Sequence, residues 1–232
     1  MRHLLCLLLL IPCLASAQSK GSRTCRVLFL GAPDGAPEKL QLFDGSASQE
    51  VELPRMNLSP VYKLPAGPLV IRMLTTAPAK PEAVSPDAPK AAIPEAMAEF
   101  YLLVSNDPAN KIAPVKLQII DADPAKFKKG QMMWFNLTPN SVGGQVGTEN
   151  LAMAANSKTI LNAPAAKNGD YNVNLSFRTP GDERLNPLCE TKWQYDAGTR
   201  TVLFVISQEG VRIPRVLGFP DYREPEETNA KP

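Results

Sequence analysis

The stretch YNVNLSFRT places Tyr171, Val173, Leu175 and Phe177 at alternate positions, with Asn172, Asn174, Ser176 and Arg178 between them. A period of two is the spacing of an extended strand that buries one face and wets the other. CETKWQYD repeats it: Cys189, Thr191, Trp193 and Tyr195 share one face, and Glu190, Lys192, Gln194 and Asp196 the other. KLQLF, VKLQII and PLVIRML alternate less strictly. VLFL, FYLLV and TVLFVI are short continuous apolar runs, as expected of strands covered on both faces. Turn-forming clusters (APDGAP, FDGS, LPAGP, NGDY and DAGT) separate these segments. No segment sustains a helical period, so the chain is predicted to be all-β, a sandwich.

A second regularity concerns the order of the strands. FYLLVSND (100–107) is echoed by VLFVISQE (202–209), and VKLQIIDAD after the first corresponds to VRIPRVLGFPD after the second. Upstream, CRVLFLGAPDG matches QMMWFNLTPNS, and VYKLPAGPLVIRML matches KTILNAPAAKNGDYNVNLSF. A fixed order of similar strands signals repetition. Two tandem sandwich modules are therefore predicted, 24–127 and 128–223, with a disordered tail over 224–232; the alternative is one large β domain. Prolines at 78, 81, 86, 89 and 94 make 77–98 an extended, partly polyproline loop. It is placed inside the first module, because residues 24–76 alone supply too few strands to close a sandwich.

The opening strands carry a family resemblance. VLFLGAPDGAPEKLQLFDG followed by LPAGPLVIRML resembles secreted bacterial immunoglobulin-like domains of unknown function that share an A-S-P-D-A-P turn and a P-A-G hairpin. The matching residues are Ala32, Pro33, Asp34, Ala36 and Pro37 in the turn, Asp44 and Gly45 after the strand, and Pro65, Ala66 and Gly67 in the hairpin. Leu30 stands where the family usually has histidine, and Gly35 is an insertion. The second half, with W-x-x-D followed by R-T-V-L-F-V (193–205), resembles secreted proteins of planctomycete and verrucomicrobial bacteria. The resemblance implies tandem immunoglobulin-type sandwiches and carries no catalytic residues.

The N-terminus MRHLLCLLLLIPCLASAQ has a basic start, an apolar run over 4–14 and the small tripeptide Ala15-Ser16-Ala17, the pattern of a secretory signal peptide over 1–17. The run is far short of the roughly 20 residues of a membrane span, and no later segment reaches that length. The expected location is secreted or periplasmic. Cleavage would remove His3, the only histidine. Ser-His-Asp and Cys-His nucleophile systems are thereby excluded from the mature chain, as are histidine-ligated metals. The 25 basic residues nearly balance the 23 acidic ones, and no basic block is long enough to track a phosphate backbone, so nucleic acid is not expected as a partner. Cys6 and Cys13 leave with the leader. The remaining pair, Cys25 and Cys189, is a candidate disulfide linking the modules in an oxidising compartment; without it, a hinge near Lys128 would let them swing.

Without histidine, paired carboxylates are the remaining hydrolytic chemistry. Asp34, Asp121, Asp123, Asp170, Asp182, Glu183, Asp196 and Asp221 are candidates, but nearly all sit in turn sequences where aspartate bonds its own backbone. The Asp121/Asp123 pair lacks the further oxygen ligands of a calcium loop, and VGGQVG (142–147) lacks the lysine and helix of a phosphate loop. No cofactor, metal or catalytic residue is assigned. Of the two tryptophans, Trp193 belongs by its strand face to a core. Trp134 is the candidate for surface binding, since Met133, Phe135 and Leu137 form the opposite face of its strand. The expected function is a non-catalytic structural or binding module of the cell envelope with an unknown protein or glycan partner; a glycan hydrolase is the alternative.

Overall fold

The computed structural model describes residues 22–223; the expected leader 1–17 and tail 224–232 lie outside the described residues. The first eight strands are β1 (Arg23–Phe29), β2 (Lys39–Phe43), β3 (Ser48–Glu52), β4 (Tyr62–Leu64), β5 (Leu69–Leu74), β6 (Lys90–Ile93), β7 (Glu99–Asn106) and β8 (Val115–Asp121). The second eight are β9 (Met132–Asn136), β10 (Ser141–Val146), β11 (Glu149–Met153), β12 (Ser157–Leu161), β13 (Gly169–Arg178), β14 (Asn186–Tyr195), β15 (Arg200–Gln208) and β16 (Val211–Asp221). Among the described residues, no helix is long and apolar enough to cross a membrane.

The chain is all-β, with four sheets of four strands forming two β-sandwich modules. The sheets run β4-β1-β7-β8 and β3-β2-β5-β6 in the first set, and β12-β9-β15-β16 and β11-β10-β13-β14 in the second. Adding eight to each label of the first pair generates the second. The parallel contacts also correspond: β1 lies beside β7 with Val27 opposite Leu102, and β9 beside β15 with Trp134 opposite Leu203. The four sequence pairs noted above fall on β1 and β9, β4–β5 and β12–β13, β7 and β15, and β8 and β16.

Three apolar layers separate the four sheets. Val27, Phe29, Leu42, Ile71, Met73 and Leu102 belong to the core of the first sandwich. Trp134, Val146, Val173, Leu175, Phe177 and Val205 belong to that of the second. The third layer joins the modules: Leu28 of β1, Tyr101 of β7 and Ile120 of β8 meet Phe135 of β9, Phe204 of β15 and Phe219 of β16. The β1 and β9 sheets are thus covered on both faces, which is why their strands read as continuous apolar runs. The outer sheets keep one wet face and alternate; in β13 the buried residues are the four at odd positions from Tyr171 to Phe177. The connection between modules is packed as well, with Phe127 fully buried and Gly130 N donating to Thr199 O at 2.8 Å. This layer replaces the expected hinge near Lys128.

The proline-rich segment lies inside the first module but is not a free polyproline loop. It contains a 3₁₀ turn at Pro81–Ala83 and the edge strand β6, paired with β5 from Leu69–Ile93 to Arg72–Lys90. KAAI, between Pro89 and Pro94, has the free N–H groups and small alternating residues that an edge strand needs. Arg23 then clamps the chain, donating to the carbonyls of Met97 at 2.6 Å and Pro94 at 2.9 Å.

Cys25 and Cys189 are free thiols, contrary to the candidate disulfide. Cys25 sits in the first core and Cys189 packs against the second, so the inter-module layer keeps their sulfurs apart. Burial pushes the Cys25 thiol up to about 12 and raises that of Cys189 less far. A thiol reagent is expected to modify half-buried Cys189 in the native protein and Cys25 only after unfolding. Denatured, unreduced protein lacking titratable thiols would show that the two had paired.

VGGQVG forms β10 and the turn that follows it. Gly144 has φ +142, and a Cβ there would overlap the carbonyl oxygen of Asn174 on the neighbouring strand. Gly144→Ala is expected to cost at least the ~1–3 kcal/mol of a strained backbone. The measurement is the urea midpoint, which an unstrained site would leave unchanged.

Candidate functional site

The edge strands β14 and β16 bound a cleft of about 340 Å³ on the second module. Its walls come from chain segments far apart in sequence. β13 contributes Tyr171, β14 contributes Trp193 and Tyr195, β15 contributes Thr201, and β16 contributes Gly218. Asp196 and Thr199, in the turn between β14 and β15, and Tyr222 just after β16 also line it.

The aromatic groups are ordered by one another. Trp193 stacks on Trp134 with ring centroids 6.0 Å apart and planes at 19°, and Tyr171 meets Trp193 edge-on at 6.3 Å and 87°. Offset stacks and edge contacts are the favoured aromatic geometries. This arrangement corrects the expectation for Trp134, which is 0% exposed in the second core and cannot bind at the surface. MMWFN is covered on both faces because its sheet lies between two others. Trp193, on an edge strand, reaches the cleft instead.

The polar groups are weakly engaged. Tyr171 and Tyr195 are each only 8% exposed. The Tyr171 hydroxyl donates to Met132 Sδ at 3.9 Å, a weak acceptor, and its pKa is pushed up to about 12 by burial. The Tyr195 hydroxyl lies over Gly130, where a Cβ would meet it at 2.5 Å, and with no protein partner among the described residues it is left to solvent. Among the described residues, no lysine or arginine lines the cleft. Its one carboxylate is occupied: Asp196 accepts from Gly198 N at 2.8 Å, Thr199 Oγ1 at 2.9 Å and Asn168 Nδ2 at 3.4 Å. The Gly198 N–H, followed by the Thr199 hydroxyl, holds its pKa below the ordinary carboxylate value.

One wall of the cleft is anchored by a buried ionic cluster. Asp221, whose side chain is 0% exposed, lies between the lining residues Pro220 and Tyr222. It accepts from Arg26 at 2.6 Å, Tyr101 Oη at 2.7 Å, Arg200 at 2.9 Å and Arg223 at 3.0 Å. Arg200 and Arg223 each reach Glu99 at 2.8 Å, and the Arg200 guanidinium lies over the rings of Tyr101 and Phe127. Arg26, Glu99 and Tyr101 belong to the first module, and Arg200, Asp221 and Arg223 to the second. The cluster therefore ties the modules together beside the β16 wall of the cleft.

The other carboxylates singled out in the sequence are dispersed. Asp121 and Asp123 bind Lys126 at 2.7 Å and 3.9 Å, and Asp182 caps its own turn by accepting from Arg184 N at 2.9 Å. Asp34, Asp170 and Glu183 are exposed. Among the described residues, no group of three His, Cys, Asp or Glu side chains could hold a metal ion. No protein-family model matches the chain, and no curated protein matches it.

The cleft was missed in the sequence because Tyr171, Trp193, Tyr195 and Tyr222 are scattered over fifty positions. The available signal was the alternation of CETKWQYD, which marks a strand of an outer sheet with one wet face, as it does for YNVNLSFRT.

Proposed function

We propose that the protein is a non-catalytic secreted or periplasmic binding and structural protein of the cell envelope, made of duplicated immunoglobulin-like modules, with its ligand seat at the β14–β16 cleft. The observation that carries this reading is the lining of the cleft: aromatic rings and neutral polar groups around a single carboxylate already committed to its own turn. Glycoside hydrolysis ordinarily needs two carboxyl groups across the bond, one of them with a raised pKa to act as acid. Asp196 has no such partner in the cleft, and its pKa is shifted the other way. The identical strand order of the two modules supports duplication, and the leader-like N-terminus supports export.

A screen of the mature protein against glycan, ester and peptide substrates is expected to show no turnover. Hydrolysis abolished by Asp196→Asn would replace this reading with that of a carboxylate hydrolase.

A further inference from the structure

We infer that the cleft between β14 and β16 is a seat for a neutral carbohydrate, with the apolar face of a sugar ring against the aromatic wall and its hydroxyls on the tyrosines. The inference rests on the binding-protein reading and names its ligand class.

Three observations converge on this chemistry. First, Trp193 is fixed from behind by Trp134 and from the side by Tyr171, so the aromatic wall is rigid before any ligand arrives. Rigid aromatic surface loses little entropy on binding, and its apolar plane suits the C–H face of a pyranose. Second, Tyr171 and Tyr195 line the cleft with largely buried rings; the Tyr171 hydroxyl bonds to a thioether, and the Tyr195 hydroxyl is reached by solvent with no protein partner among the described residues. A hydroxyl held by a weak acceptor and one held only by water both exchange readily onto a ligand with several donors and acceptors. Third, among the described residues the cleft offers no cation to an anionic ligand, and its one carboxylate, Asp196, already accepts three hydrogen bonds from neutral groups, leaving its exposed oxygens as further acceptors for hydroxyls. A neutral molecule with one apolar face and several hydroxyls satisfies all three. The volume, about 340 Å³, falls at the small end of the roughly 300–1,000 Å³ typical of ligand sites. That size suits one or two sugar rings rather than a long chain threaded through.

Gly218 makes the cleft testable without dismantling it. A Cβ there would make only ordinary contact, 3.6 Å from Leu203 and 3.9 Å from Thr201, and its backbone is outside the left-handed region. Gly218→Leu therefore fills the cleft from the β16 side. The experiment applies the mature chain to an array of neutral glycans covering α- and β-linked hexoses, pentoses and N-acetylhexosamines. The glycan captured most strongly is then titrated calorimetrically. Wild type is expected to bind, Gly218→Leu and Trp193→Ala to weaken binding at least tenfold, and Val211→Ser, on the distant hairpin tip, to leave it unchanged. Circular dichroism confirms that each variant is folded.

Capture of no neutral glycan would overturn the inference, as would binding that survives both cleft variants. An apolar dye that enters wild type but not Gly218→Leu, with no glycan bound, would overturn the carbohydrate assignment while leaving a binding cleft in place. A glycan bound at the cleft and then cleaved would uphold the carbohydrate seat and overturn the non-catalytic reading.

Discussion

Replacing Asp221 with alanine is expected to destabilise the protein by about 3–5 kcal/mol, the cost of removing one partner from a buried ionic group. The cost comes chiefly from what is left behind. Arg26, Arg200 and Arg223 converge on this one carboxylate, and the Tyr101 hydroxyl donates to it at 2.7 Å. Without it, Glu99 is the one carboxylate among the described residues left to balance three guanidinium groups, and it pairs with Arg200 and Arg223. Arg26 keeps its bonds to the carbonyls of Leu58, Ser59 and Tyr222 but loses its one ionic partner among the described residues. Because the cluster joins the modules, the loss should also separate their unfolding, turning one cooperative urea transition into two. Asp221→Asn, which keeps the shape and one acceptor oxygen, should fall between wild type and Asp221→Ala. A single transition with an unchanged midpoint in the alanine variant would show that the cluster contributes nothing net.

The same carboxylate sets an acid limit. Burial opposes its charge, but the Tyr101 hydroxyl, the Arg223 charge and the Arg26 and Arg200 bonds outweigh burial and hold its pKa below the ordinary value. A pKa depressed in the folded state means that the unfolded chain takes up the proton first as pH falls. The stabilisation is therefore complete above the unfolded aspartate value of about 3.9 and is lost as pH drops through the lower folded value. Wild type should lose stability steeply below about pH 4. Asp221→Asn, having no such proton to bind, should show a shallower loss over that interval.

The parts of this architecture that could be read from the sequence are those that depend on a strand's own environment. Alternation in YNVNLSFRT and continuity in FYLLV each report which faces of a strand are covered, and the two modules follow from the order of such segments. How the modules meet was not legible, because a continuous apolar run looks the same whether its second face is covered by a loop or by another module. Arg26, Arg200 and Asp221 illustrate the difficulty: in sequence they are ordinary charged residues of strands, and only the stacking of the β1 and β9 sheets buries them together. The proline-rich segment misled in the opposite direction, since four residues between two prolines suffice for an edge strand. The expectation of a surface role for Trp134 fails for the same reason as the interface, whereas Trp193 does pack against the second core as its strand face suggests. Trp134 was judged by the face of an isolated strand, whereas its sheet has no wet face.

That reassignment has an energetic consequence. Trp134→Ala is expected to cost about 3–5 kcal/mol, the range for truncating a fully buried large aromatic, because its neighbours Val205, Leu203 and Trp193 belong to two sheets that cannot both collapse into the void. Trp193→Ala removes a half-buried ring at the cleft and should cost much less. Part of that smaller cost is the stack the two rings share, about 0.5–1.5 kcal/mol for an aromatic pair. The double variant should therefore cost less than the sum of the single ones by about that amount, since the stack can be lost only once. Trp134→Phe discriminates further. The Trp134 indole N–H is buried without an acceptor among the described residues, so phenylalanine removes an unpaired donor as well as part of a ring. It should cost well under half as much as alanine. Urea unfolding followed by circular dichroism gives all four values. If Trp193→Ala cost as much as Trp134→Ala, Trp193 would be a core residue like Trp134, and the cleft would lose its aromatic wall as a surface for ligand.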